Sequence, residues 1–185
     1  MKKQLYQFIF TQLLGWQIKG KINPGIMECV LIIIPHTSWH DFYIGLFARG
    51  IIGLEINYVA KKELFRIPFG WWFRWMGGAP LDRTGCRNTV DAMCEVFKTR
   101  KTFRMAIAPE GTRAKVSGLR SGFYYIALKA AVPIIPIAFD YSLRMVKIGE
   151  PLMPTGNYDA DLLVLSDVFR GAKGKIIANG FNFDS

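Results

Sequence analysis

The residues best suited to chemistry lie in one short segment. The chain has only two histidines, His36 and His40, and both fall within PHTSWHD at positions 35–41, which ends in Asp41. The residues just before it, 29–34, form an unbroken apolar run, which is the pattern of a buried strand. A histidine at the end of a core strand, with a carboxylate close enough to orient it, is the minimum machinery for activating a hydroxyl near neutral pH.

The spacing of His36 and Asp41 limits how the two side chains can meet. On one continuous helix, positions five residues apart point about 140° away from each other. They can meet if His36 lies in a loop and a helix begins just after it, with Ser38 as N-cap and Asp41 as the third helical residue. Two other interpretations stay open. Asp41 could be a simple capping carboxylate, or His36 and His40 could bind a metal ion with a third ligand.

A second segment carries groups suited to an anion. Residues 102–108 are another strand-like run, and PEGTR follows at positions 109–113. Gly111 allows close backbone approach or a positive φ, while Thr112 and Arg113 offer a hydroxyl and a forked cation for a phosphate. The alternative is a solvated turn with a surface arginine.

The sequence resembles a known family, the glycerolipid acyltransferases of the 1-acylglycerol-3-phosphate (lysophosphatidic acid) acyltransferase type. Its first and third signature blocks are similar to His36…Asp41 and PEGTR. Its second resembles GGAPLDR at 77–83, and its fourth resembles VPIIPIA at 132–138. The blocks occur in the family order, with two departures: Pro35 stands where Asn is usual, and Ala108 where Phe is usual.

The resemblance implies a reaction and a set of roles. A fatty acyl group would move from an acyl thioester, acyl-CoA or acyl carrier protein, to a lysophospholipid hydroxyl, giving phosphatidic acid without a cofactor or metal. His36 would be the base and Asp41 its orienting carboxylate, as in hydrolase triads. Glu110 would orient an arginine, backbone groups or an acceptor hydroxyl. The phosphate would be held by Lys61 (or its neighbour Lys62), Arg83, Gly111, Thr112 and Arg113.

Two alternative functions stay open on the same residues. The protein could acylate another lyso-lipid, such as a lyso-aminolipid, or it could be a lipid-binding protein that keeps the fold without turnover. The cations at Lys61, Arg83 and Arg113 favour a phosphate-bearing acceptor, although a carboxylate would suit them too.

The composition of the chain indicates which binding partners it favours. The 24 Lys and Arg residues against 14 Asp and Glu give a net charge of +10, and 51% of the residues are hydrophobic. Such a chain favours an anionic membrane surface or an acidic carrier protein, and no motif for nucleic acid is present. The odd number of cysteines, three, fits a reducing compartment in which the thiols are neutral.

The N-terminus has the pattern of a membrane-surface helix. Residues 3–19 carry lysines at both ends, Tyr and Trp, and an apolar stretch that is too short to span a bilayer. We expect residues 1–20 to form an interfacial helix and residues 21–185 the acyltransferase domain. The alternative is a helix packed on the protein's own sheet. An aromatic and basic stretch at 64–76 also favours lipid contact, so we expect a peripheral or monotopic protein on the cytoplasmic face of the inner membrane.

The remaining pattern predicts a single α/β domain with a mostly parallel sheet flanked by helices. Apolar runs bounded by turn residues predict strands, and longer amphipathic stretches predict helices. The predicted strands are 29–35, 55–60, 78–82, 102–108, 133–140 and 143–148, with a weaker one at 174–178 before a loose tail. The predicted helices are 3–19, 39–51, 63–75, 87–100, 119–131 and 159–169.

Overall fold

The computed structural model describes residues 2–61, 71, 78–81, 89–181 and 183. Over these residues, helices are interspersed among the strands along the chain. The strands are β1 (Gln17–Lys19), β2 (Glu28–Ile34), β3 (Asn57–Lys61), β4 (Gly78–Leu81), β5 (Phe103–Ile107), β6 (Ile134–Asp140) and β7 (Met145–Ile148). The α-helices are α1 (Lys2–Phe8), α2 (His40–Ile52), α3 (Thr89–Thr99), α4 (Gly122–Ala130) and α5 (Tyr158–Ser166).

The strands form a seven-stranded sheet in the order β1-β7-β6-β2-β5-β3-β4. Every neighbouring pair is parallel except β6 and β7, which run antiparallel. Strand β2 lies at the centre between β5 and β6, with Leu31 opposite both Ala106 and Ile135. The carboxyl ends of β2, β5 and β6 therefore meet at one edge of the sheet, which is where open α/β folds place their sites.

Strand β2 is apolar from Cys29 to its end because helices cover both faces of the sheet. Val30, Ile32 and Ile34 point into a core shared with α3, α4 and α5. Cys29 and Leu31 point into a second core shared with α2 and the N-terminal segment. This alternation follows from the two-residue period of a strand, and it makes the domain a three-layer α/β structure.

The N-terminal segment differs from the predicted helix over 3–19. Helix α1 passes into a π-helical turn, Ile9–Leu13, and the chain then enters the sheet as edge strand β1, which the sequence pattern did not predict. The inner face packs on the protein itself: Phe10 is fully buried, and Tyr6 meets Phe47 of α2 edge-on at 5.9 Å.

The outer face of the same segment is apolar and open to solvent. Leu5, Phe8 and Leu13 are 59%, 55% and 68% exposed. One face of the segment therefore packs on the domain, as the alternative expectation has it. The other face has no covering layer among the described residues, and its contact with a membrane surface stays a prediction. In that part of the chain, no helix has the length and apolarity needed to span a bilayer.

Two other predicted elements have different outcomes. The weak strand predicted at 174–178 is absent; the chain instead forms a 3-10 turn at Ile177–Asn179 within an ordered C-terminal segment. The predicted helix at 63–75 falls mostly outside the described residues. Cys29 and Cys94 are buried free thiols, and burial raises the pKa of Cys29 to about 12, so both are neutral core residues.

Candidate active site

The three loops that follow the central strands bring the site together. His36 lies just after β2, Glu110 after β5 and Tyr141 directly after β6. These strands are adjacent and parallel, so residues separated by up to about a hundred positions in sequence meet at one edge. The predicted pair His36 and Asp41 lies at the middle of this edge.

Asp41 binds the ring of His36 directly. The distance from His36 Nδ1 to Asp41 Oδ2 is 3.1 Å. Asp41 lies in the first turn of α2 and its side chain is buried, whereas that of His36 is 24% exposed. The predicted geometry, with His36 in the loop and Asp41 in the helix that follows, is the observed one.

Three further donors hold the Asp41 carboxylate. The backbone N–H groups of Thr37 and Ser38 donate to Oδ2 at 2.9 Å each, and the Tyr141 hydroxyl donates to Oδ1 at 2.7 Å. Burial alone would raise the pKa of Asp41, but the hydrogen bonds from His36, Tyr141 and Ser38 outweigh it and hold the pKa below its usual range. Asp41 is therefore an ionised, fixed partner for the imidazole.

Asp41 makes a helix-capping contact as well as its contact with His36. Its carboxylate reaches back to the Ser38 N–H, which is one half of a capping box. Helix α2 begins at His40 with Trp39 as its N-cap, not Ser38 as predicted. The hydroxyl of Ser38 accepts from the His40 N–H at 3.4 Å, not from the Asp41 N–H as in a full capping box, and it also contacts His40 Nδ1 at 3.0 Å.

His40 makes its side-chain contacts with Trp39 and Ser38. Its ring lies 4.1 Å from the Trp39 ring and its Nδ1 contacts Ser38. In the part of the chain that the structure describes, no three His, Cys, Asp or Glu side chains are grouped as metal ligands.

Glu110 binds backbone groups. It accepts from the His36 N–H at 2.5 Å through Oε2 and from the Phe181 N–H at 3.4 Å through Oε1. Its side chain is buried, and this burial raises its pKa although both hydrogen bonds act in the opposite direction. Of the options that the sequence left open, the observed geometry is the one in which Glu110 orients the backbone, here that of His36 itself.

The second part of the PEGTR loop, residues 111–113, is open to solvent. Gly111 adopts a positive φ of 67°, which glycine tolerates readily. Thr112 and Arg113 are exposed. Lys61 is the last residue of β3, whose carboxyl end lies at the same sheet edge because β3 runs parallel to β5. The side chain of Lys61 and the whole of Arg83 lie outside the described part, so their place in the phosphate site stays a prediction.

Two contributors to the site were missed in the sequence. Tyr141, which binds Asp41, follows the fourth signature block by three positions, and its place at the end of a central strand was the available signal. Its ring packs edge-on against Trp16 at 4.8 Å, so the N-terminal segment supports it. The C-terminal segment, which contacts Thr37, Glu110 and Arg113, carries no local signal.

Fold and site together define an α/β protein whose sheet presents a carboxylate-bound histidine at its carboxyl edge. Comparison with known sequences identifies the family: the model described as Acyltransferase matches residues 20–140. The chain therefore belongs to the acyltransferase family, and the resemblance inferred from the four blocks is confirmed.

Several curated relatives are similar to this chain. The chloroplastic 1-acyl-sn-glycerol-3-phosphate acyltransferase BAT2 of Brassica napus is 30% identical over 158 residues, which is 83% of this chain and 42% of the relative. The 1-acyl-sn-glycerol-3-phosphate acyltransferase of Streptococcus pneumoniae is 31% identical, covering 69% of this chain and 50% of the relative. The chain thus corresponds to half, or less, of the length of these relatives.

A solved structure supports the fold. The crystal structure of the 1-acyl-sn-glycerophosphate acyltransferase PlsC from Thermotoga maritima aligns with a TM-score of 0.58 at 20% identity, covering 90% of this chain and 76% of that one. The single, mostly parallel α/β domain predicted from the sequence is therefore confirmed.

Proposed function

We propose that this protein transfers a fatty acyl group from an acyl thioester to the free hydroxyl of 1-acylglycerol-3-phosphate, giving phosphatidic acid. The observation that carries the proposal is the 3.1 Å contact between His36 Nδ1 and a buried Asp41 that four donors hold. The names of the relatives support the choice of acceptor. The acyl donor is acyl-CoA or acyl carrier protein.

His36 acts as the general base in this mechanism. Because Asp41 occupies Nδ1, the second ring nitrogen, Nε2, takes the proton of the acceptor hydroxyl as its oxygen attacks the thioester carbonyl. Asp41 stabilises the imidazolium that forms. When the tetrahedral intermediate collapses, the C–S bond breaks and the leaving thiolate takes the proton from His36. The acceptor supplies the nucleophile, so no residue of the protein is acylated.

The acceptor phosphate is assigned to the cationic side of the same edge. Arg113 supplies a forked cation, Thr112 a hydroxyl and Gly111 a close backbone approach, and Lys61 and Arg83 add charge. Glu110 acts indirectly in this scheme, since its carboxylate holds the backbone N–H of His36 and so fixes the base.

The exposed apolar face of the N-terminal segment is assigned to the membrane surface. Leu5, Phe8 and Leu13 would enter the headgroup region of an anionic leaflet, helped by the net charge of +10. We place the protein on the cytoplasmic face of the inner membrane, as a peripheral or monotopic protein. Flotation with phosphatidylglycerol vesicles tests this: the wild type should bind them, and replacing all three residues by serine should abolish binding.

A thiol-release assay tests the reaction. Protein in vesicles receives an acyl thioester with and without lysophosphatidic acid, and free thiol is measured. His36→Ala should lower the acceptor-dependent rate by at least about 100-fold, the contribution of a general base. His40→Ala is the matched control, because it removes the other histidine without touching the His36–Asp41 pair. A His36→Ala variant that keeps wild-type turnover would refute the mechanism.

The same assay tests the phosphate site. Arg113→Ala should raise KM for lysophosphatidic acid by about tenfold or more, the scale of one charge-assisted hydrogen bond, and should leave kcat nearly unchanged. If the wild type were active only with a lyso-aminolipid, that lipid and not lysophosphatidic acid would be the acceptor. No thiol release with either acceptor would favour lipid binding without turnover.

A further inference from the structure

The C-terminal segment, defined as residues 173–181 and 183, contacts each of the three loops of the site. The Lys173 carbonyl accepts from the Tyr141 N–H at 2.8 Å, after β6. The Ile176 N–H donates to Thr37 Oγ1 at 3.2 Å, after β2, and the Phe181 N–H donates to Glu110, after β5. The segment lies beyond residues 20–140, the part that the family model matches.

Packing fixes this segment at both ends. Gly174 is buried so closely on Thr37 that a Cβ atom there would lie 2.6 Å from the threonine side chain. Near the other end, Phe183 stacks on Phe169 with ring centroids 5.4 Å apart, and Phe181 meets Phe183 edge-on at 4.9 Å. A segment anchored in this way can hold other parts of the site in place.

Asn179 connects the C-terminal segment to the PEGTR loop. Its Nδ2 donates to the Arg113 carbonyl oxygen at 2.9 Å. Residues 111–115 are all exposed, and the hydrogen bond from Ala114 N–H to Thr112 Oγ1 is internal to the loop. Among the described residues, no other side chain from outside the loop hydrogen-bonds to residues 112–115.

We propose that Asn179 is a positioning residue for acceptor binding, because it holds the Arg113 backbone in the arrangement that receives the phosphate. This inference rests on the proposed function. A loop held before binding loses less conformational freedom when the ligand arrives, so its affinity is higher than that of a free loop. Asn179 contacts neither the base nor its carboxylate, so the chemical step does not depend on it.

The expected signature is a change in KM alone. Losing one neutral hydrogen bond that organises the loop should raise KM for lysophosphatidic acid about two- to tenfold. The value of kcat and the KM for the acyl thioester should stay within about twofold of the wild type, since neither depends on the phosphate site in this scheme.

Two variants of Asn179 and a matched control make the test specific. Asn179→Ala removes the side chain, and Asn179→Leu keeps its size without the donor. Asn157→Ala is the control: the Asn157 side chain also binds one backbone group, the Ala160 N–H, but it caps α5 away from the site. Each protein is assayed for thiol release at varied acceptor and donor, and for equilibrium binding of lysophosphatidic acid without donor.

The inference is supported if both Asn179 variants raise the acceptor KM and the acceptor Kd while Asn157→Ala changes neither. It is overturned by an unchanged acceptor KM, by a fall in kcat alone, or by an equal rise in Asn157→Ala, which would indicate general destabilisation. A wild type that binds lysophosphatidic acid but releases no thiol would overturn the proposed function instead, and the binding comparison would still test Asn179.

Discussion

Tyr141→Phe removes one oxygen atom and with it the hydrogen bond to Asp41 Oδ1. The bond is 2.7 Å long, and Asp41 is only 3% exposed, so bulk water has little access to the vacated position. A hydrogen bond to a charged group contributes about 1.5–3 kcal/mol. We therefore expect the free energy of unfolding to fall by about 2 kcal/mol, which lowers Tm by about 4–8 °C in a chain of this size.

The loss of stability caused by Tyr141→Phe should depend on pH in a defined direction. Burial raises the pKa of Asp41 but its hydrogen bonds lower it further, so the folded-state pKa lies below the unfolded one. The stability that Asp41 contributes is then complete above its unfolded pKa, about 3.9, and is lost as the pH falls through the folded-state pKa. The difference in stability between wild type and Tyr141→Phe should be largest near neutral pH and narrow on acidification. Burial and Asp41 raise the pKa of Tyr141, so its hydroxyl stays a donor throughout.

Activity should fall together with stability. The variant keeps the aromatic ring on Trp16, but Asp41 loses its only donor at Oδ1 among the described residues, so the orientation of the His36 ring is less fixed. We expect kcat to drop about tenfold with KM unchanged, a modest part of what misplacing a catalytic group can cost.

Denaturant unfolding between pH 3 and 8 measures the free energy of unfolding, and the thiol-release assay measures kcat. Tyr125→Phe is the matched control, because the Tyr125 side chain is 49% exposed and its hydroxyl has no hydrogen bond in the described part of the chain. It should stay within about 0.5 kcal/mol of the wild type. If Tyr141→Phe matched wild-type stability and kcat, the other three donors would be sufficient to hold Asp41 and our reasoning would be refuted.

Two pairs of glycine substitutions test the backbone around the site. Gly111→Ala should lower the free energy of unfolding by about 1–2 kcal/mol, because φ is +67° at this position. Its control, Gly118→Ala, has open space at the Cβ position and should be neutral within about 0.5 kcal/mol. Equal effects of the two substitutions in denaturant unfolding would contradict this prediction. Gly50→Ala should destabilise by about 1–3 kcal/mol, since its Cβ would collide with the Tyr6 ring and push α1 off α2, whereas Gly45→Ala in the same helix has room and should stabilise by up to about 1 kcal/mol. A Gly50→Ala protein with wild-type stability would show that α1 docking contributes little.

Most of the fold was predictable because its signals are local. A short apolar run such as residues 29–34 favours a strand covered on both faces, and the alternation with amphipathic helices implies parallel crossovers. The N-terminal segment shows the limit of this reasoning. Its apolar residues favour a single helix over 3–19. In the structure, residues 17–19 instead pair with Met145, Val146 and Lys147 at the sheet edge. A local sequence pattern cannot predict a pairing with residues so far away in the chain.

The residues that carry the proposed chemistry can be recognised from the sequence alone. A histidine in the loop after a buried strand, with an aspartate in the helix that follows, predicts an oriented base, and PEGTR predicts an anion site; both depend only on residues close together in the chain. The contacts that fix those groups in place depend on the tertiary structure. Tyr141 reaches Asp41 and the C-terminal segment reaches Thr37, Glu110 and Arg113 across 66 to 139 positions. Such contacts arise because parallel strands β2, β5 and β6 gather their carboxyl ends at one edge, and the order of strands in a sheet is set by packing between distant segments.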